Sequence, residues 1–263
     1  MQQLTIGKNQ AGQRLDKFLK KAFPNAGTGF LYKMLRKKNI TLNGKKAEGK
    51  EILVQGDEIK CFFSEETFAS LSGTENRETT SDYRKAYRSL KDISVLYEDE
   101  DILLLNKPAG VLTQKAKPED LSLNEWLIGH LLATNAITEA DLATFHPSVC
   151  NRLDRNTSGL VVAGKSLAGL QIMNEVFKDR SIHKYYQCLV AGEIKEKQLI
   201  AGFLKKDEST NTVSIFPLEV EDSVPIMTEY LPLSGNKTFT LLQVTLITGR
   251  SHQIRAHLAS IGH

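Results

Sequence analysis

Short strand-like runs dominate residues 93–263 and restrict the fold more than any other feature of the sequence. Two of them flank the acidic turn of ISVLYEDEDILLLNKPAG, and GLVVAGKS predicts a buried strand. Four more follow: YYQCLVAGEI, TVSIFP, IMTEYLPL and FTLLQVTLIT. Helices are predicted for SLNEWLIGHLLA, with Ser122 as N-cap, for residues 167–180 and for SHQIRAHLAS. Because strands outnumber helices and hairpin connections are frequent, we predict an α+β fold around a mixed or antiparallel sheet.

The N-terminal segment differs from this body in charge. Residues 1–60 hold 13 Lys and Arg against 5 Asp and Glu, whereas the whole chain has a net charge of only +3. Such an uneven distribution indicates either a module that binds a polyanion or a solvated basic surface.

A small α+β unit is predicted within residues 1–63. The spacing of apolar residues predicts one helix in RLDKFLKKAF and a second in FLYKMLRKK. ITLNG predicts a strand that enters an Asn43-Gly44 turn, and Gly56-Asp57 predicts another turn before a closing strand. The residues expected to face inward on the helices are Leu15, Phe18, Leu19, Ala22, Leu31, Met34 and Leu35.

The order of these elements resembles the small RNA-binding domain named after ribosomal protein S-four. The resemblance rests on RLDKFL, the helix that ends in RKK, and the segments LNGK and GDEI. It implies that the second helix and the hairpin hold structured RNA through contacts with phosphates. The side chains expected to bind RNA are Lys17, Lys33, Arg36, Lys37, Lys38 and Lys45.

Residues 64–91 are polar and rich in Ser, Thr and Glu, so we predict a mobile linker that is partly helical near residues 83–90. The predicted domains are therefore an RNA-binding domain over residues 1–63, a linker over 64–91 and a catalytic domain over 92–263.

The sequence has no pattern that predicts a metal or cofactor site. It lacks P-loop, GxGxxG and GxSxG motifs, and His252 and His257 miss the i, i+4 spacing of a helical metal pair. The scattered Cys61, Cys150 and Cys188 argue against zinc and disulfides and are typical of a reduced cytoplasm. No apolar run approaches the roughly 18 residues of a membrane span, and no signal peptide is recognisable. We expect a cytoplasmic monomer that uses no metal, cofactor or membrane.

NRLDRNTSGL places Asp154 between Arg152 and Arg155, before a turn and a strand. Neighbouring guanidinium groups favour the ionised carboxylate, which suits a nucleophile better than a general acid. Considered alone, the pattern is more often a structural salt bridge. Two other segments strengthen the catalytic interpretation: HKYYQCLVAG places Tyr185 and Tyr186 on opposite faces of a strand, and TGRSHQIRAHL offers a turn that could bind phosphate.

Four ordered motifs resemble those of the RluA family of pseudouridine synthases. NRLDRNTSGL is similar to its H-R-L-D-x-x-T-S-G-L signature, and VLYEDEDILLLNKPAGV to its opening motif. KYY matches its K-x-Y motif, and TGRSHQIRAHLASIGH its closing motif. The resemblance covers residues 93–263 and, with the N-terminal domain, nearly the whole chain. It implies a pseudouridine-synthase-like catalytic domain that isomerises uridines in folded RNA, most often large-subunit ribosomal RNA.

The resemblance also implies roles for individual residues. Asp154 would be the catalytic group, either by attacking the sugar or by assisting formation of a glycal. Tyr186 would lie against the uracil, and Arg255 would pair with Asp154. Arg152 would fill the space left by the flipped base or hold a phosphate, since the reacting bond is inaccessible in a stacked strand. Lys107 and Arg250 would bind substrate RNA, or else belong to the edge of the core.

The chain departs from the family pattern in two places. Asn151 stands where the family often has His, and the sequence stops at Gly262-His263, where relatives usually continue. We therefore expect the C-terminal end to be incomplete.

Other functions remain open at this point. A noncatalytic RNA-binding or ribosome-assembly factor on the same fold is disfavoured by the intact Asp154, Tyr186 and Arg255. A hydrolase is disfavoured because no second carboxylate or metal partner is apparent. Transfer RNA is an alternative substrate, and the modified uridine cannot be identified from sequence.

Overall fold

The computed structural model describes residues 1–72, 80–139, 141–207, 209–210 and 212–263. The chain divides into two compact units, Met1–Glu175 and Val176–His263. This division differs from the domain boundaries expected from sequence, which stay a prediction. None of the described helices combines the length and the hydropathy needed to cross a membrane.

The first unit begins with a four-stranded antiparallel sheet and two helices, α1 (Leu15–Ala22) and α2 (Thr28–Arg36). The strand order is β1-β4-β2-β3, for β1 (Gln2–Thr5), β2 (Ile40–Leu42), β3 (Lys45–Lys46) and β4 (Glu58–Cys61). All seven predicted inward-facing residues of the helices are buried, so apolar periodicity identified this core. Asn43 and Gly44 have φ of 51° and 73°, which matches the tight hairpin turn predicted there.

Two helices occupy the described parts of the predicted linker, α3 (Glu65–Ser72) and α4 (Thr80–Ser89); residues 73–79 lie outside the described residues. Phe68 of α3 packs against the core of the N-terminal sheet. In α4, Tyr83 and Ala86 are buried against the following helix, α5 (Leu123–Ala133). A few apolar residues of the predicted linker therefore pack against neighbouring elements, although they are too sparse to form a core of their own. The linker assignment stays a prediction.

The rest of the first unit is a second antiparallel sheet covered by α5. Its order is β5-β6-β8-β7, for β5 (Ser94–Glu98), β6 (Ile102–Lys107), β7 (Ser148–Val149) and β8 (Gly159–Gly164). The predicted acidic turn between the first two strands is present, and Asp99 accepts hydrogen bonds there from the backbone of Asp101 and Ile102. Ser122 caps α5 by accepting from the Asn124 N–H, as the sequence predicted.

The second unit is a five-stranded antiparallel sheet with a short helix, α7 (Gln253–Ala259). The preceding helix, α6 (Leu167–Lys178), contains the point of division between the units. The strand order is β11-β10-β12-β13-β9, for β9 (Tyr185–Ala191), β10 (Gln198–Asp207), β11 (Thr212–Phe216), β12 (Val224–Gly235) and β13 (Phe239–Leu246). The α+β class is thus confirmed, with antiparallel pairing in all three sheets of the described residues.

Candidate active site

Asp154 lies in the loop that joins β7 to β8. Its side chain is half-buried, whereas Arg152 and Arg155 on either side are exposed. The Thr157 backbone N–H donates to the Asp154 carbonyl oxygen at 3.0 Å and closes a turn. The loop therefore combines a fixed backbone with a carboxylate that is neither at the surface nor deep in the core.

Thr113 holds this loop from the segment that follows β6. Its hydroxyl donates to the Leu153 carbonyl oxygen at 2.7 Å and accepts from the Leu153 N–H at 3.1 Å. Thr113 is only 3% exposed, so water does not compete with these two bonds. Sequence reasoning missed Thr113, and a polar residue two positions after the NKPAGV motif was the available signal.

Lys107 holds the other side of the same loop. Its ammonium donates to three backbone carbonyls, of Pro108 at 3.0 Å, Val111 at 2.7 Å and Arg155 at 3.1 Å. Lys107 is completely buried, and all three of its donors serve the protein backbone. This geometry favours the structural role at the core edge that the sequence left open, and its contact with substrate RNA stays a prediction.

Burial lowers the pKa of Lys107 below its ordinary value, and the nearby charge of Asp154 partly opposes that shift. A buried ammonium needs acceptors for its protons and a counter charge within reach. The three carbonyl oxygens are the acceptors, and Asp154 contributes to the counter charge. The catalytic candidate and the lysine that holds its loop are therefore electrostatically coupled.

Asn151, which replaces the histidine common in the resembling family, also binds the backbone at the base of the loop. Its Oδ1 accepts from the Val162 N–H at 2.7 Å and its Nδ2 donates to the Leu160 carbonyl oxygen at 3.2 Å. Both partners belong to β8, so the amide side chain continues the strand pairing by one residue. Asn151 thus holds the base of the loop to β8.

In the second unit, Tyr186 lies on β9 opposite Val244 of β13. Tyr186 is half-buried and packs against the cluster that contains Val244 and Leu258, whereas Tyr185 is 61% exposed. The predicted placement of the two tyrosines on opposite faces therefore holds. Ile254 of α7 packs on the same cluster, so Tyr186 and the helix that carries Arg255 share one core.

Arg250 lies in the turn before α7, and a buried glutamine holds that turn. Gln253 Oε1 accepts from the Arg250 N–H at 3.1 Å and from the Thr248 hydroxyl at 2.9 Å. Its Nε2 donates to the Met227 carbonyl oxygen at 3.1 Å and to Thr228 Oγ1 at 2.9 Å. Gln253 is 2% exposed and was also missed from sequence, although it lies inside the closing motif.

His257 of α7 has a structural environment. It is buried, and its Nδ1 lies 3.0 Å from Thr228 Oγ1. Burial lowers its pKa below the ordinary value, which favours the neutral imidazole. Among the described residues, no three His, Cys, Asp or Glu side chains converge in a way that could hold a metal ion.

The basic side chains predicted to bind RNA in the N-terminal segment are all exposed: Lys17, Lys33, Arg36, Lys37, Lys38 and Lys45. Within the described residues, none of them forms an ion pair with a carboxylate. These charges are therefore available to an external anion.

The predicted catalytic and substrate-binding residues are divided between the units. Asp154, Arg152 and Lys107 belong to the first unit, where Lys107 lies beneath the Asp154 loop. Tyr186, Arg250 and Arg255 belong to the second, where Arg250 and Arg255 are exposed. The predicted pair of Asp154 with Arg255 stays a prediction.

Comparison with known proteins identifies a pseudouridine synthase family over more than half of the chain. The model of the RNA pseudouridylate synthase family matches residues 101–260. An uncharacterized RNA pseudouridine synthase homologue of Mycoplasma pneumoniae is 32% identical, over 93% of this chain and 73% of that protein. The ribosomal large subunit pseudouridine synthase C of Vibrio vulnificus is 28% identical, over 100% of this chain and 78% of that protein.

Solved structures show a similar fold. Human RNA pseudouridylate synthase domain containing 1 superposes with a TM-score of 0.54 and 24% identity, over 66% of this chain and 67% of that chain. Human RNA pseudouridylate synthase domain containing 4 gives the same TM-score at 18% identity, over 68% of each chain. The α+β fold is thus of the pseudouridine synthase type.

Proposed function

We propose that this chain, which belongs to the RNA pseudouridylate synthase family, uses the Asp154 carboxylate to isomerise uridines in large-subunit ribosomal RNA. Membership of the family makes the chain an RNA-modifying isomerase, of the RluA type. The proposal consists of Asp154 as the catalytic residue, the supporting roles of Tyr186 and Arg255, and ribosomal RNA as the substrate.

The reaction breaks the bond between N1 of uracil and the ribose, rotates the base and forms a carbon–carbon bond to the same ribose. No atom is gained or lost, so the protein must supply positioning and charge rather than a co-reactant. Asp154 serves in this step as an ionised group that acts on the sugar or its proton. We expect Tyr186 to lie against the uracil and Arg255 to contribute a positive charge to the reaction.

The observation that carries this proposal is the double attachment of the Asp154 loop. Thr113 binds the backbone directly before Asp154, and Lys107 binds the carbonyl directly after it. A catalytic group must be held within a fraction of an ångström of its working position, and side chains locked by buried hydrogen bonds provide that precision. A surface salt bridge would not need both attachments. Exposed Arg152 is then free to occupy the place of the flipped base.

Two observations support ribosomal RNA as the substrate. The relatives from Vibrio vulnificus and Rickettsia felis are named for the large ribosomal subunit, and each spans 78% of its length in the match. The exposed basic residues of α1, α2 and the β2–β3 hairpin offer phosphate contacts for a large structured RNA.

The test compares wild type, Asp154→Asn and Asp222→Asn on unmodified large-subunit ribosomal RNA and on transfer RNA. Pseudouridine is detected by reverse-transcription stops after carbodiimide treatment. Asp222 is exposed, so its variant is the matched control. We expect Asp154→Asn to slow single-turnover modification more than about a thousandfold, because the reacting group is lost, and Asp222→Asn to match wild type.

Equal rates for Asp154→Asn and wild type would remove Asp154 from the mechanism. Modification of transfer RNA without modification of ribosomal RNA would leave the enzyme intact but overturn the proposed substrate.

The N-terminal contribution has its own test. We expect Lys37→Gln to weaken RNA binding and to lower the slope of log affinity against log salt by about 0.7–0.9, since a phosphate contact is lost. Lys195→Gln removes the same charge from a lysine already paired with Glu193 and serves as control. An unchanged slope for Lys37→Gln would exclude that residue from the RNA surface.

A further inference from the structure

A second group of cations in the Val176–His263 unit has no role in the site described above. It lies in the loop of residues 179–184, between α6 and β9, and contains Arg180 and Lys184. Lys184 is the lysine of the K-x-Y motif, and its carbonyl oxygen accepts from the Leu246 N–H at 2.9 Å. The backbone of Lys184 is therefore fixed to the end of β13.

The Lys184 side chain is half-buried and its ammonium lies over the turn that precedes α7. A Cβ atom built on Gly249 would be 3.1 Å from Lys184 Nζ. The glycine thus leaves room for the ammonium directly beside Arg250, the next residue. Arg250 has its own N–H fixed by Gln253, so the ammonium meets a rigid segment of backbone.

Arg180 brings another positive charge to the same place. It is exposed, and its charge adds to the effect of burial in lowering the pKa of Lys184. The neighbouring Asp179 carboxylate accepts from the Ser181 N–H instead. Within the described residues, neither Arg180 nor Lys184 forms an ion pair with an acidic side chain.

Two cations held within electrostatic reach of each other repel, and this repulsion is relieved when an anion binds between them. Partial burial of the Lys184 ammonium strengthens its attraction for an anion because less water screens it. The nearby exposed Arg250 adds a fork-shaped donor suited to phosphate.

We propose that Arg180 and Lys184 form, together with Arg250, a binding site for a backbone phosphate of the RNA substrate. The proposal rests on the proposed function for the identity of the anion. It adds two phosphate ligands to the second unit, next to the strand that carries Tyr186. A phosphate fixed there holds the RNA strand in register with β9 and α7.

The experiment measures affinity for unmodified large-subunit ribosomal RNA by filter binding between 50 and 200 mM salt, concentrations over which phosphate contacts are readily distinguished. The variants are Arg180→Gln, Lys184→Gln and Lys184→Arg, with Lys195→Gln as matched control. We expect Arg180→Gln and Lys184→Gln each to weaken binding about tenfold at low salt and to reduce the salt slope by about 0.7–0.9. Lys184→Arg should keep the wild-type slope, because it keeps the charge.

Two outcomes would overturn the proposal. Unchanged affinity and slope in both glutamine variants would overturn it. Weaker binding with an unchanged slope would also overturn it, since Lys184 would then only support the Arg250 turn. Pseudouridine formation by wild type on the same RNA is measured in parallel, so that failure of the proposed function, with no modification at all, is distinguished from failure of the phosphate site.

Discussion

The Asp154 loop of the first unit and the Arg250 turn of the second are held by similar means. In each, a buried polar side chain binds the backbone of the segment: Lys107 donates to three carbonyls, and Gln253 accepts from the Arg250 N–H. Gln253 also binds the Met227 carbonyl oxygen and the hydroxyls of Thr228 and Thr248. The difference is charge. Lys107 is a cation whose charge is unfavourable to bury, whereas Gln253 is neutral.

The charge difference fits the two tasks. The Asp154 loop is held through carbonyl oxygens, and the buried Lys107 ammonium beneath it donates to them, while the Asp154 charge partly opposes the lowering of the Lys107 pKa by burial. The Arg250 turn is held through the Arg250 N–H, which needs an acceptor, and the neutral Gln253 amide supplies that acceptor together with a donor for the Met227 carbonyl oxygen. Each buried side chain is thus matched to the donors and acceptors of the backbone that it holds.

The strongest test of this comparison is Lys107→Met. It leaves three carbonyls without their donor in a buried place, so we expect a loss of roughly 4 kcal/mol of stability in urea unfolding. We also expect single-turnover modification to slow about a hundredfold, since small displacements of a catalytic group have effects of that size. The control is exposed Lys117→Met. A variant with normal rate would show that the loop holds its shape without Lys107.

Gln253→Ala probes the neutral counterpart. It removes four hydrogen bonds, none to a charged side chain, and we expect a loss of about 2–3 kcal/mol, less than for Lys107→Met. RNA affinity should fall more than the single-turnover rate at saturating RNA, because we propose that the Arg250 turn binds the RNA and takes no part in the reaction. Exposed Gln187→Ala is the control. A larger effect on the rate than on affinity would break the division of tasks between the two segments.

Thr113→Val separates the two attachments of the Asp154 loop. The valine keeps the shape but loses both bonds to Leu153, and we expect about 1–2 kcal/mol of destabilisation and a smaller loss of rate than for Lys107→Met. Urea unfolding and single-turnover kinetics measure the two effects, with exposed Thr238→Val as control. If Thr113→Val loses more stability and more single-turnover rate than Lys107→Met, the Lys107 ammonium is not the principal attachment of the loop.

The smallest effect concerns His257, which shares Thr228 with Gln253. Its pKa is lowered in the folded protein, so the unfolded chain binds the proton more readily. The contribution of His257 to the free energy of unfolding is therefore fully present above the ordinary pKa of 6.5. It decreases as the pH falls through 6.5 towards the lower pKa of His257 in the folded protein. We expect His257→Gln to reduce the loss of stability between pH 7 and pH 5, measured by urea unfolding. The same slope in wild type and variant, with exposed His183→Gln as reference, would contradict this assignment.

Local patterns predicted several elements well, and the failures have physical reasons. Helices α1, α2 and α5 follow from apolar periodicity and a serine cap, which act within a few residues of one another. Strand β10 was not predicted, because Ala201 and Gly202 interrupt its apolar pattern and lysines end it. It forms because β11 and β12 pair with it on both sides. Likewise α4 packs on α5 because Gly129 lets the backbone of Tyr83 approach closely.

What the sequence determined by itself is the family, the α+β class and the candidate residues Asp154, Tyr186 and Arg255, because motifs and periodicities are carried by residue order alone. Only the tertiary structure decided that Lys107 serves the backbone beneath Asp154, that Gln253 holds the Arg250 turn, and that Lys184 lies over Gly249. The reason is that burial and hydrogen-bond partners depend on residues distant in sequence. The identity of a lysine or glutamine in the sequence does not indicate whether its side chain is solvated or binds a buried backbone group.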